Sequence, residues 1–125
     1  NAYFTGQKKV DELPAYITAY DVCINPQMVN DITDGNYPLK IDEYLAMGKP
    51  TVATSTHTMR HIFADHTHLA TNPEEWLSAI DRAVPEADDK ERAKQRIAFA
   101  ETHSWGHSVK KIYGIIDNFL KEKAT

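Results

Sequence analysis

The chain has 125 residues, 42% hydrophobic and 26% charged, with a formal net charge of −4 and a single cysteine. That length suffices for one small domain with its own core; the acidic balance excludes general nucleic-acid binding, which needs a basic field. One cysteine excludes a disulfide framework and favours a cytoplasmic setting, and no apolar run approaches the length of a membrane span.

In chain order, Tyr3-Phe4-Thr5 is an aromatic, β-prone run closed by Gly6, and reads as a strand. Asp11 to Ala19 has helical spacing of Leu13, Tyr16, Ile17 and Tyr20, with Pro14 suited to the first turn. Asp21 leads into Val22-Cys23-Ile24, a short buried strand ended by Asn25-Pro26, in which Cys23 reads as a small hydrophobe. Gln27 to Tyr37 is a long polar loop, a kind of segment that is often functional. Pro38 to Met47 reads as a helix with Gly48 past its end, and Thr51-Val52-Ala53-Thr54 as a strand. Ser55 to His66 has no clear periodicity, and His68-Leu69-Ala70 reads as an edge strand. Three helical patterns follow with no strand between them: Pro73 to Val84 capped by Asn72, Asp88 to Thr102, and Ser104 to Lys121. In the last, Val109, Ile112, Tyr113, Ile115, Ile116, Phe119 and Leu120 form one apolar stripe, expected to pack in the core. The charged run Glu86 to Arg96 reads as a solvated helix face.

Alternating strands and helices imply an α/β fold: a partial doubly wound, Rossmann-like parallel sheet over residues 1–72, followed by a helical segment over residues 73–125. Ligands in such sheets bind beyond the carboxyl ends of the strands. The loops Asn25 to Tyr37 and Ser55 to Met59 are expected side by side on that rim. The chain begins with Asn1 rather than Met, so a processed or excised piece is expected, starting within a domain. Apolar surface left uncovered by missing strands would then favour a homo-oligomer.

The chemistry of the rim centres on the helix start at Tyr37-Pro38. Its first N–H groups have no partners within the helix and favour an anion. Gly35 and Asn36 permit close backbone approach. Lys40 is a cation in a first turn, unfavourable for an isolated helix but understandable beside a phosphate; its bland reading is a solvated lysine. Glu43, three residues on, is placed to accept hydrogen bonds from a ribose diol; its bland reading is a helix glutamate paired with Lys40. Six histidines include the pairs His57/His61 and His66/His68, but no third ligand has metal-site spacing, and no metal is expected. A Gly-x-Ser-x-Gly elbow and a phosphate-binding Gly-x-x-x-x-Gly-Lys-Ser/Thr loop are both absent.

The ordered blocks Phe4-Thr5-Gly6, Leu13-Pro14-Ala15-Tyr16, Ala19-Tyr20-Asp21-Val22, Asn25-Pro26 and Glu43 through Thr54, then Phe99 and Ser104-Trp105, carry a further signal. Together they resemble the C-terminal, donor-binding domain of group 1 retaining glycosyltransferases with the GT-B fold. The resemblance covers nearly the whole chain and is most specific from Glu43 to Thr54. It implies binding of a nucleoside-diphosphate sugar as donor substrate, with no separate cofactor and no metal. Glu43 would hold the ribose hydroxyls, while Lys40 and the backbone from Asn36 through Tyr37 and Pro38 to Leu39 would face the diphosphate or sugar. Many members carry two glutamates separated by seven residues, the first in a Glu-Gly pair. Here that position is Gly35, and Asp34-Gly35 preserves an acid-glycine pair displaced by one residue. Either Asp34 takes the first acid's role or that role is absent. The acceptor would be bound by an N-terminal domain outside this chain, so the piece alone is expected not to catalyse. The intact enzyme is expected in cell-surface polysaccharide or glycoconjugate synthesis, in the cytoplasm or peripheral to the inner membrane face. The residues leave open two other readings: a nucleotide-sugar epimerase of the same architecture, and a non-catalytic doubly wound interaction domain.

Overall fold

The computed structural model describes residues 1–125. Its elements are α1 (Leu13–Thr18), β1 (Cys23–Asn25), α2 (Leu39–Ala46), β2 (Thr51–Thr54), a π-helical turn (Met59–Phe63), β3 (His68–Ala70), α3 (Pro73–Ala83), a 3-10 turn (Val84–Asp88), α4 (Lys90–Glu101) and α5 (Trp105–Ala124). The sheet is parallel with order β1-β2-β3, Ile24 lying opposite Val52 and Ala53 opposite Leu69. No helix is long and apolar enough to cross a membrane.

All four residues of β2 are buried, as expected of a central parallel strand covered on both faces. Alternation along it divides the core. Ala53 joins Ile41, Leu45, Met59, Phe63 and Ala100 on one face, while Val52 joins Ala70, Ala79 and Ala83 of α3 on the other. The three-strand sheet is therefore sandwiched between two helical layers, and the helical segment packs directly onto the α/β part.

Local signals explain most boundaries. Asn72 Oδ1 accepts the Glu75 N–H at 2.9 Å, and the Glu75 carboxylate accepts the Thr71 N–H and hydroxyl at 2.7 and 2.6 Å. This closes the first turn of α3 like a capping box. The Thr71 contacts hold the Glu75 carboxyl below its usual range. Gly48 ends α2 with φ +72°, a left-handed conformation that an L side chain resists. A Cβ there would also lie 3.1 Å from the Cβ of Ala93, so α2 and α4 meet at a position that needs glycine.

Three expectations need correction. Tyr3-Phe4-Thr5 is not a strand; no strand lies beside it, and Tyr3 and Phe4 stand in solvent at 87% and 98% exposure. The stripe on α5 is not core: the helix has no buried residue, and the whole stripe is exposed. The run from Glu86 to Arg96 is not wholly a solvated face. Arg96 is buried, donates to the Gly48 carbonyl at 3.2 Å and pairs with Glu86, which also accepts from Arg92 at 2.5 Å and lies 3.1 Å from His68 Nε2. This network ties α4, the end of α2 and the start of β3 together. Burial holds the Arg96 guanidinium below its usual pKa, against the opposing pull of Glu86.

Candidate functional site

The two rim loops meet as expected. Asp34 joins them: its Oδ1 accepts the His57 N–H at 2.7 Å, and its carbonyl oxygen accepts the Thr58 N–H at 3.2 Å. Deeper in, the Gln27 N–H donates to Thr54 Oγ1 at 2.8 Å at the carboxyl end of β2. Within the first loop, Asn30 Oδ1 accepts the N–H groups of Ile32 and Thr33, each at 3.0 Å, folding the chain into a tight turn. The long loop is ordered by its own polar side chains.

Gly35 and Asn36 are exposed. Nothing lies within 4 Å of the position a Gly35 Cβ would take, and only Gly6 and Gly48 among the glycines have positive φ. Gly35 thus leaves room for a group to approach without needing an unusual dihedral. Pro38 stands at the N-cap of α2 with no side-chain capping bond, and its carbonyl accepts the Ile41 N–H at 2.9 Å, which leaves the Leu39 and Lys40 N–H groups as the uncapped donors of the first turn.

Lys40 and Glu43 are exposed, and neither side chain makes an ion pair or a hydrogen bond within the protein, so the bland pairing of the two is not formed. Both border one groove of about 620 Å³ beside the free edge of β1, together with Tyr16, Cys23, Ile24 and Tyr44. That volume falls in the range of small-molecule sites, about 300–1,000 Å³. Burial, then the neighbouring Cys23 and Glu43, raises the Tyr44 phenol above its usual pKa. Burial pushes the Cys23 thiol up to about 11, so it is an inert buried group rather than a nucleophile. A groove with an apolar aromatic floor, lined by the Glu43 carboxylate and by the Lys8 and Lys40 ammonium groups, can take a ligand that joins a ring to an anion.

Sequence reasoning missed Asp42. Its Oδ2 accepts from the Tyr37 hydroxyl at 2.5 Å, and its Oδ1 lies 2.8 Å from His103 Nδ1. Burial first, then this bond to Asp42, lifts the Tyr37 phenol above its usual range. The Tyr37 ring lies 5.6 Å from that of Phe63, and the His103 ring 4.7 Å from that of Phe99. Tyr37 is thus held at the start of α2 by a carboxylate and an aromatic cluster. Its partner His103 lies 61 residues from Asp42, and no local pattern could signal that contact.

Among the remaining histidines, His66 stacks on the Phe99 ring at 4.1 Å, beside that cluster. His57 and His61 stack at 4.0 Å with His61 Nδ1 2.9 Å from the His57 carbonyl oxygen, and no group of three or more potential ligands converges on a common point. A separate polar cavity of about 70 Å³ at the amino end of β3 is lined by His68, Glu86, Arg92 and Arg96, which are engaged with one another.

No solved structure matches the chain. A putative teichuronic acid biosynthesis glycosyltransferase, TuaH of Bacillus subtilis (strain 168), is 28% identical over 108 residues, covering 84% of this chain and 27% of that protein. The chain thus spans about a quarter of that relative's length. The family described as glycosyl transferases group 1 matches residues 1–86, and with more than half of its length matched the chain belongs to that family.

Proposed function

We propose that this chain is the donor-binding part of a GT-B glycosyltransferase that moves a hexose-type sugar from a nucleoside diphosphate to an acceptor with retention. The group 1 membership supports glycosyl transfer. The Bacillus relative's name, a teichuronic acid biosynthesis glycosyltransferase, supports a place in polysaccharide synthesis; in this reading the polymer is a cell-surface one and the donor is met on the cytoplasmic side. The acceptor would be held by a further domain of the intact enzyme.

One observation carries the site assignment: Lys40 and Glu43, both without partners in the protein, border the same groove one helical turn apart. In this reading Glu43 accepts hydrogen bonds from the ribose diol. Lys40 and the free N–H groups at the start of α2 stabilise the diphosphate as negative charge builds on it during departure. The backbone of Gly35 and Asn36 offers close approach to the diphosphate or sugar, and Tyr37 and Pro38 set the direction of the helix start. Asp34, engaged with the second loop through the His57 N–H, shapes the rim, and in this reading takes the role of the first acid at the donor sugar. No metal is called for, because these groups supply the positive potential.

Calorimetric titration of the chain with a panel of nucleoside diphosphates and with inorganic pyrophosphate tests the assignment. Weak binding is expected. Glu43→Ala should weaken nucleoside diphosphates about tenfold, the loss of a charge-assisted hydrogen-bond pair, and leave pyrophosphate unchanged. Lys40→Ala should weaken both. Equal affinities across wild type and both variants would overturn the placement.

A further inference from the structure

Asp42 is the acid in the first turn of α2, and it makes no capping bond there. Both its oxygens are taken by side chains from other segments. Oδ2 accepts the Tyr37 hydroxyl at 2.5 Å, and Oδ1 lies 2.8 Å from His103 Nδ1. No lysine or arginine pairs with it. Its two partners come from opposite ends of the fold: Tyr37 closes the first rim loop, and His103 lies in the link between α4 and α5. The His103 ring also stands 5.7 Å from that of Phe63, the ring against which Tyr37 packs. The rim loop is thereby anchored on both sides of Gly35 and Asn36. Asp34 is bound to the His57 and Thr58 N–H groups on one side, and Tyr37 to Asp42 on the other. Only two residues lie between the anchors, and nothing stands within 4 Å of a Cβ at Gly35. That open stretch of backbone is held from its ends rather than by packing around it.

We infer that Asp42 is a positioning residue for the diphosphate end of the donor site: through the Tyr37 hydroxyl it fixes the backbone from Gly35 to the start of α2, and His103 holds its carboxylate in place. The inference rests on the donor reading given above. Position and charge make opposite demands on this residue. A carboxylate near a helix start repels a bound anion, so by charge alone its removal tightens anion binding. By position, its removal frees the loop end, and donors that must be ordered as the ligand arrives cost affinity. Tyr37 separates the two effects further. Burial and the bond to Asp42 raise its phenol above the usual range, so it is a neutral donor at pH 7. Loss of its hydroxyl changes no charge and leaves the ring to pack on Phe63.

Titration of the full 125-residue chain with inorganic pyrophosphate, followed by NMR, tests this. Tyr37→Phe and Asp42→Ala should each weaken binding about fivefold, the net worth of one hydrogen bond read as an affinity. The double variant should be no weaker than either single one, because both remove the same bond. Asp42→Asn keeps an acceptor for the Tyr37 hydroxyl and offers an amide N–H to the His103 ring, so it should restore wild-type affinity or exceed it. Unchanged or tighter binding in Asp42→Ala would overturn the inference, since the carboxylate would then act by charge alone. So would Asp42→Asn as weak as Asp42→Ala, or additive losses in the double variant. Lys40→Ala separates this result from the donor reading. If Lys40→Ala weakens binding while Tyr37→Phe and Asp42→Ala do not, the donor site stands and the positioning role falls. If the wild-type chain binds no pyrophosphate, the donor reading falls and the positioning role with it.

Discussion

Gly48→Ala puts the junction of α2 and α4 to the test. The glycine sits at φ +72°, and an alanine there costs about 1 kcal/mol in backbone strain alone. Its Cβ would stand 3.1 Å from the Ala93 Cβ, 3.4 Å from the Ala93 carbonyl oxygen and 3.4 Å from Ile97 Cδ1. All three belong to α4, so the helix must shift against a packed face, which adds about 1–2 kcal/mol. Together these give a loss of about 2–3 kcal/mol, or a fall in melting temperature of about 10 °C for a domain of this size. Thermal unfolding followed by circular dichroism measures it. A companion pair separates the two causes. In an Ala93→Gly background the nearest contact is gone, so introducing alanine at position 48 should cost about 1 kcal/mol less, leaving mainly the backbone strain. If Gly48→Ala shifts the melting temperature by less than about 2 °C, the argument for left-handed strain and close helix approach fails. If the cost is the same with and without Ala93, the steric part of the reasoning is wrong.

Arg96→Met should destabilise by about 3 kcal/mol or more, because it leaves Glu86 short of one cation and the Gly48 carbonyl without this donor in a buried place; a urea midpoint within error of wild type would contradict the network. Alkaline pH should weaken the fold. The Cys23 thiol is raised from 9.0 to about 11 in the folded chain, so the stability from burying it neutral is present below pH 9 and is lost as pH rises toward 11. Tyr37 and Tyr44, also raised, act in the same direction at higher pH. Urea midpoints measured between pH 8 and pH 11 should fall, and Cys23→Ala should remove the earliest part of that fall; a flat profile would refute the burial argument.

Several elements were legible because their signals are local. Pro14 in the first turn of α1, Asn72 at the cap of α3, Gly48 after α2 and the largely β-branched run of β2 each act within a few residues. The rim was legible too, since a parallel sheet places its strand-to-helix loops on one side whatever their composition. The π-helical turn at Met59–Phe63 was not legible, because its register is set by burying Met59 and Phe63 against α2 and α4 rather than by a periodic pattern. The strand expected at Tyr3-Phe4-Thr5 failed for the opposite reason. Its propensity is real, but a strand exists only beside another strand, and none lies next to it.

The candidate site divides the same way. Lys40 and Glu43 could be placed on one face from helical spacing alone, and the run from Glu43 to Thr54 carries the family likeness in its own letters. Sequence by itself thus determined the α/β class, the parallel sheet, the rim and the two exposed charges, all consequences of short-range periodicity and steric preference. Only the tertiary structure decided that Asp42 bridges Tyr37 and His103, that Arg96 is buried on Glu86 and that the α5 stripe faces outward. A carboxylate, a guanidinium or an apolar stripe looks the same in sequence whether it meets solvent or a partner. What distinguishes the cases is which distant surface the fold brings to it.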